Sequence, residues 1–164
     1  MYERFASLMQ AACNQSTLTT PVAFELEPTA AEAEIDHVLR IYPEYMVDFL
    51  VLIRDFGNGA QIDLKPERYF IELLSANLFI LKNRESREYS PLAASFYDVA
   101  TYGGCGDSVV MDVRRGPFNG AVFDFFHEAP NETFDKEPLA PSLPAFLERV
   151  AEDLLAGRSP FCWY

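Results

Sequence analysis

The residues best suited to chemistry lie in a glycine-rich stretch at residues 103–107, which contains Cys105 and ends in Asp107. Glycine is needed where the backbone adopts a positive φ or passes close to another segment. Such a turn can hold an anion or expose a nucleophile, which here would be Cys105. It can also be a structural corner between two strands. Residues 108–113 alternate as in a strand, so the sequence favours the corner.

A nucleophilic Cys105 would need a base, and the chain offers only His37 and His127. His37 stands among charged residues of a predicted helix, where a solvated side chain is expected. A reactive thiol also needs a helix N-terminus or an orienting group to lower its pKa. The residues after Cys105 predict a strand instead. The sequence therefore argues against a cysteine–histidine enzyme.

The sequence also argues against a metal site and a phosphate-binding loop. Asp107, Asp112 and His127 are the residues from which a metal site could be built. Zinc sites, however, usually contain more His or Cys, and hard cations need several converging oxygens. No Lys-Ser/Thr pair follows the glycines, as a phosphate-binding loop requires. Paired carboxylates for glycoside hydrolysis stay open because acids are abundant. We expect no catalytic residue, no cofactor and no metal.

The whole chain, 164 residues with 49% apolar composition, predicts one globular domain over residues 1–164. No apolar run reaches the roughly 18 residues of a membrane span, and the first residues do not resemble a secretory signal. Three widely spaced cysteines suit reduced thiols in the cytoplasm. A net charge of −12 argues against direct nucleic-acid binding. That charge either keeps the protein dispersed or steers a basic protein partner.

Helical periodicity and capping signals predict four helices. The first covers the first dozen residues, and the second follows a capping box formed by Thr29 and Glu32. The third covers residues 44–56, and Gly57 or Gly59 is expected to end it in a left-handed cap. The fourth runs from Ser142 to Gly157. The apolar stripe of the last helix is formed by Leu143, Phe146, Leu147, Val150 and Leu154.

Alternating or apolar runs predict the strands, at residues 22–26, 69–74, 78–81, 96–100, 109–113 and 121–126. Residues 75–77 are expected to be a turn and residues 82–90 a surface connection. Asn119-Gly120 is typical of a hairpin turn between the last two strands. The fold class expected is α+β, with a mostly antiparallel curved sheet and N-terminal and C-terminal helices packed against it.

Four segments, in this order, resemble motifs of the SUKH superfamily, which includes fungal cell-wall-assembly regulators and bacterial immunity proteins. They are residues 43–50 with the Gly57-Asn58-Gly59 turn, residues 103–113, residues 120–128 and residues 139–147. The resemblance covers roughly residues 29–155. It leaves an N-terminal helical extension and an apolar C-terminal tail outside the core.

This resemblance implies a non-catalytic binding domain that, in bacteria, neutralises a toxin domain, often a nuclease. Gly104, Gly106 and Asp107 match the glycine turn of the superfamily. Contacts with a basic toxin are expected from an acidic loop whose only counter-charge is Lys136; its candidate residues are Glu128, Glu132, Asp135 and Glu137. A regulatory or scaffold module is the alternative, and a small hydrolase is a third. Partner identity and oligomeric state are not predicted.

Overall fold

The computed structural model describes residues 1–15, 22–42, 47–64, 69–103, 107–125, 133 and 137–158. The helices in these ranges are α1 (Glu3–Gln15), α2 (Glu32–Ile41), α3 (Val47–Val51), α4 (Ala76–Tyr89) and α5 (Leu143–Leu155). The strands are β1 (Val22–Leu26), β2 (Ala60–Leu64), β3 (Tyr69–Leu73), β4 (Phe96–Tyr102), β5 (Ser108–Asp112) and β6 (Val122–Phe125). A π-helical turn, Leu52–Phe56, follows α3, and a 3-10 turn, Pro91–Ala94, precedes β4.

The six strands form one sheet in the order β1-β2-β3-β4-β5-β6, and every neighbouring pair is antiparallel. Each strand therefore pairs with the next one along the chain. Helices α1, α3 and α5 pack together on one face of the sheet, where Phe5, Phe49 and Phe146 are fully buried. The predicted α+β class with an antiparallel sheet is confirmed.

The opposite face of the sheet, called the outer face below, is covered over only part of its width. Strands β4 and β5 are buried on both faces, because a second cluster that includes Phe96, Val110 and Phe123 packs beneath the 3-10 turn. In β2 and β3, by contrast, Ile62 and Ile71 point into the main core while their neighbours alternate toward the outside. This alternation is typical of an antiparallel sheet with one solvated face.

Helix α4 corrects the largest error of the sequence analysis, which predicted a strand at residues 78–81 and a surface connection after it. Ser75 caps the helix, because its hydroxyl accepts a hydrogen bond from the Leu78 amide at 3.4 Å. Phe79 is fully buried and stacks on Phe49 at a ring distance of 4.3 Å. The run of four apolar residues has no clear period, so burial of one helix face decides the structure.

Two helix ends also differ from the prediction. Helix α2 begins after Ala31 rather than Thr29, and the Glu34 carboxylate accepts a hydrogen bond from the Ala31 amide at 2.9 Å. The helix that follows residues 43–46, which lie outside the described residues, ends in the π-helical turn, where the Gly57 amide bonds the Leu52 carbonyl at 2.9 Å. Gly57 is extended, with φ −173°, so it is not a left-handed cap, whereas Gly59, the other glycine expected there, has a positive φ of 111°.

The C-terminal half follows the prediction more closely. The Ser142 hydroxyl accepts a hydrogen bond from the Ala145 amide, and Gly157, with φ 70°, ends α5 in the left-handed conformation. Strands β5 and β6 form the predicted hairpin, and Gly120 at its turn has φ 83°. Across the described ranges, no helix is both long enough and apolar enough to cross a membrane.

Asn83 connects α4 to the sheet at a point where strand pairing stops. Strand β3 pairs with β4 only from Ala100 onward, so β4 has an unpaired edge at Asp98. The Asn83 side chain bonds this edge twice: its oxygen accepts from the Asp98 amide at 2.8 Å, and its nitrogen donates to the Asp98 carbonyl at 3.0 Å. One buried side chain thereby takes the place of a neighbouring strand.

Candidate functional site

The described ends of the glycine-rich stretch are Gly103, which follows β4, and Asp107, which precedes the neighbouring strand β5. Gly103 has φ 65°, and its amide donates a hydrogen bond to the Phe70 carbonyl at 3.1 Å. Gly104, Cys105 and Gly106 lie outside the described residues. Asp107, immediately before β5, is only 7% exposed. A carboxylate so nearly buried has too little free surface to be a main contact with a macromolecule.

The other buried carboxylates of the sheet are bonded within the fold. Asp112, 2% exposed, accepts a hydrogen bond from the Arg114 amide at 2.8 Å and pairs with its guanidinium at 2.6 Å. Asp98 accepts from the Ser86 hydroxyl at 2.6 Å. Burial raises the pKa of the Asp98 carboxyl, and hydrogen bonds from Ser86 and Ser108 partly oppose that rise. These contacts suit structural roles.

The structure describes only some of the groups considered for nucleophilic or metal chemistry. Cys105 and His127 both lie outside those ranges, and His37 is exposed on α2. The thiol of Cys13 lies in α1, where burial raises its pKa, the opposite of what a nucleophile needs. Within the part of the chain that the structure describes, no three His, Cys, Asp or Glu side chains are grouped as metal ligands.

Several arginines are engaged with groups of their own chain. Arg4 pairs with Glu148 at 2.7 Å and with Glu152 at 2.6 Å, tying α1 to α5. The Arg87 guanidinium lies over the Tyr42 ring, 4.6 Å from its centre. Arg114 and Arg158 pair with Asp112 and Asp153, respectively. Arg4, Arg114 and Arg158 therefore neutralise local carboxylates and leave other acidic surfaces uncompensated.

The outer face of strands β1, β2 and β3 is one such surface. Glu25, Gln61, Glu72 and Thr101 are consecutive cross-strand neighbours in the register of the sheet. Glu25 and Gln61 are exposed, and the half-buried Glu72 accepts a hydrogen bond from the Thr101 hydroxyl at 3.3 Å. Among the described residues, no Lys or Arg forms an ion pair with Glu25, Glu27 or Glu72. The row thus presents unneutralised carboxylates on a rigid sheet.

A shallow depression of about 80 Å³ lies alongside this row. Glu25, Glu27 and Glu72 line it together with Ser75 and the exposed Leu78 of α4. Carboxylates grouped around a concave surface concentrate the negative potential there. The depression has room for the end of one side chain, so it suits a cationic or amphipathic group better than a small-molecule substrate.

The residues predicted to contact a partner fall mostly outside the described ranges. This applies to Glu128, Glu132 and Asp135, whereas Glu137 is described and exposed. Sequence reasoning missed the acidic outer face, because it did not predict β2 and so lacked the register that aligns Glu25 with Glu72. The alternation of polar and apolar residues in β2 was the available signal.

Comparison with known proteins adds no relative on which a function could be based. No protein-family model matches the sequence, and no curated protein matches it significantly. Membership of the SUKH superfamily therefore depends on the four motif segments and is a proposal.

Proposed function

We propose that this protein is a SUKH-like, non-catalytic binding domain that acts in the cytoplasm as an immunity protein and neutralises a basic toxin domain, in particular a nuclease. The observation that carries the proposal is the solvated outer face of β1, β2 and β3, where Glu25, Glu27 and Glu72 have no cation partner among the described residues.

The charges of the two partners would complement each other. A nuclease that grips phosphate groups needs Lys and Arg on its nucleic-acid surface. A protein of net charge −12 attracts such a surface from a distance and can occupy it. Arginines paired with carboxylates of their own chain, among them Arg4, Arg114 and Arg158, do not oppose this attraction. The same charge repels nucleic acid, so the protein would compete with the nucleic-acid substrate for the surface of the nuclease and would not bind the substrate itself.

The bonding of the buried acids supports a binding function over catalysis. Asp98 and Asp112 hold Ser86 and Arg114, respectively, so each stabilises the sheet and its attachments. A general acid or base needs access to a substrate proton, and Asp98 and Asp112 are only 1% and 2% exposed, respectively.

The experiment is co-expression with the protein encoded immediately upstream, divided so that its C-terminal domain is tested alone. The expected result is a stoichiometric complex that restores growth and abolishes the nuclease activity of that domain. The association rate should fall by about tenfold between about 50 mM and about 500 mM NaCl, because the Debye length shortens. A complex with another endogenous protein, without toxin suppression, would instead indicate the regulatory module. Hydrolytic activity of the purified protein would refute both binding functions.

A further inference from the structure

We infer that the contact between α4 and β4 is a proton-dependent switch in which the side chain of Lys82 moves. When Asp98 is neutral, Asn83 and Ser86 hold the helix on the strand, and the second carboxyl oxygen of Asp98 has no partner. When Asp98 ionises, the Lys82 ammonium group turns inward and pairs with that oxygen. This inference does not depend on the proposed function.

The Asp98 carboxyl is buried but only partly satisfied by hydrogen bonds. Asp98 is 1% exposed, and its Oδ2 accepts a hydrogen bond from the Ser86 hydroxyl at 2.6 Å. Its Oδ1 is buried as well, and no described residue gives it a hydrogen bond of ordinary length. A buried charge is costly unless it is paired and fully hydrogen-bonded. The arrangement therefore suits the neutral acid and leaves the carboxylate one partner short.

Lys82 is placed to supply that partner. Lys82 and Ser86 are four residues apart on α4, so they share a face of the helix. Because the Ser86 hydroxyl contacts the Asp98 carboxyl, Lys82 begins one helical turn away, and its side chain is half-buried. Among the described residues, Lys82 forms no ion pair, even with the exposed Glu85. Its flexible four-carbon stem can carry the ammonium group to Oδ1.

The neighbouring strands offer no cation to the Asp98 carboxylate. On β5, the Ser108 hydroxyl faces the carboxyl at longer range and lowers its pKa, but the hydroxyl carries no charge. On β3, no residue lies opposite Asp98, because the pairing with β4 begins at Ala100. The one carboxylate of β3, Glu72, lies opposite Thr101 and would repel a second negative charge.

The cations near the end of α2 are engaged or exposed. The Arg87 guanidinium lies over the Tyr42 ring, and Arg84 is exposed. Burial raises the pKa of the Tyr42 hydroxyl, and the charge of Asp98 adds to that rise, so this hydroxyl does not stabilise a carboxylate by ionising. Burial also raises the pKa of Asp98, and Lys82 is the one cation in the described ranges whose charge lowers it.

The test is an NMR titration of the full chain, labelled with ¹³C and ¹⁵N, between about pH 4 and pH 9. The Asp98 carboxyl carbon is expected to titrate above the ordinary carboxyl pKa of about 4. The signals of the Lys82 ammonium group should change with the same midpoint. In Asp98→Asn, which keeps an oxygen for the Ser86 hydroxyl but cannot ionise, the Lys82 signals should lose this transition.

Two variants separate Lys82 from general charge. Lys82→Met keeps an apolar stem and removes the ammonium group, so the proton affinity of the Asp98 carboxyl should rise by about tenfold. The matched control is Arg84→Met, at an exposed position of the same helix. Both proteins have net charge −13, from −12 minus 1. The control should change that affinity by less than about twofold, because solvent and salt screen an exposed charge.

A Lys82 transition that is lost in Asp98→Asn, together with the larger effect of Lys82→Met, would establish the switch. Equal effects of Lys82→Met and Arg84→Met would overturn it, as would Lys82 signals that do not follow the Asp98 midpoint. A carboxyl that titrates at or below its ordinary pKa, or that stays protonated until the protein unfolds, would overturn it too. The co-expression experiment is independent of these outcomes.

Discussion

Replacing Asn83 with alanine is expected to destabilise the protein far more than loss of one surface amide would. Asn83 is 2% exposed and forms both hydrogen bonds that satisfy the Asp98 backbone at the unpaired edge of β4. Asn83→Ala leaves a buried amide and a buried carbonyl without partners, and each such group costs about 1–3 kcal/mol. The better helix propensity of alanine returns about 0.5 kcal/mol. The free energy of unfolding should therefore fall by roughly 2–5 kcal/mol.

Urea denaturation followed by circular dichroism measures this change. With an m-value of about 2 kcal/mol/M, the midpoint should fall by roughly 1–2.5 M while the slope stays constant. The matched control is Asn77→Ala at an exposed position of the same helix, which should change stability by less than about 0.5 kcal/mol. A loss below about 1 kcal/mol for Asn83→Ala would refute the idea that one side chain substitutes for a strand. Amide exchange at Asp98 would then remain slow in the variant.

Three further substitutions test the sheet. Burial raises the pKa of Asp98 in the folded state, so the stability that this carboxyl contributes is fully present below its unfolded pKa and is lost as pH rises through the folded pKa. Asp98→Asn should remove this decline, which begins as the pH rises above about 4, the ordinary carboxyl pKa. The same fall in melting temperature with rising pH in both proteins would contradict it. Gly120→Ala, at φ 83° with open space around a new Cβ, should cost about 1–2 kcal/mol in urea unfolding, whereas Gly116→Ala should cost almost nothing. Arg114→Leu removes the guanidinium that pairs with the buried Asp112, and the free energy of unfolding in the same assay should fall by about 1.5–3 kcal/mol. An unchanged free energy would show that backbone contacts alone are enough to stabilise the Asp112 carboxylate.

The parts of the fold that the sequence predicts well are those with local signals that agree. Helix α5 has a serine cap, a regular apolar stripe and a glycine end, and each signal specifies the same boundaries. The β5–β6 hairpin has alternating strands and an Asn-Gly turn. In both cases, the tertiary structure retains the conformation that short-range interactions already favour.

Helix α4 shows where such reasoning fails. Its apolar run at residues 78–81 is short enough for a strand, and propensity does not separate the two possibilities. The structure buries Phe79 against Phe49 and leaves Leu78 and Leu81 exposed, a selection made by distant segments. Ser75 is a good N-cap residue, but it indicates the start of a helix only when the residues after it are assigned to a helix.

The candidate site was harder to predict than the fold because it depends on register. Glu25 and Glu72 are far apart in the sequence and share a face only because β2 lies between them. Without β2, acidic residues could be grouped only along the chain, which pointed to the loop containing Glu137. A surface assembled across strands has no local sequence signature, whereas a loop has one.

The sheet has a closed half, β4 and β5, which is buried on both faces, and an open half, β2 and β3, which has one solvated face. The closed half determines stability, whereas the open half can bind a partner. Strands β4 and β5 are buried on both faces and hold the core, while β2 and β3 bury one face and solvate the other. Substitutions on the solvated outer face, such as Glu25→Gln, remove no buried contact and should leave the free energy of unfolding nearly unchanged. Substitutions such as Asn83→Ala act on the closed half and lower stability. Binding defects that arise without a stability change can therefore be assigned to the outer face itself, because the frame that carries it is intact.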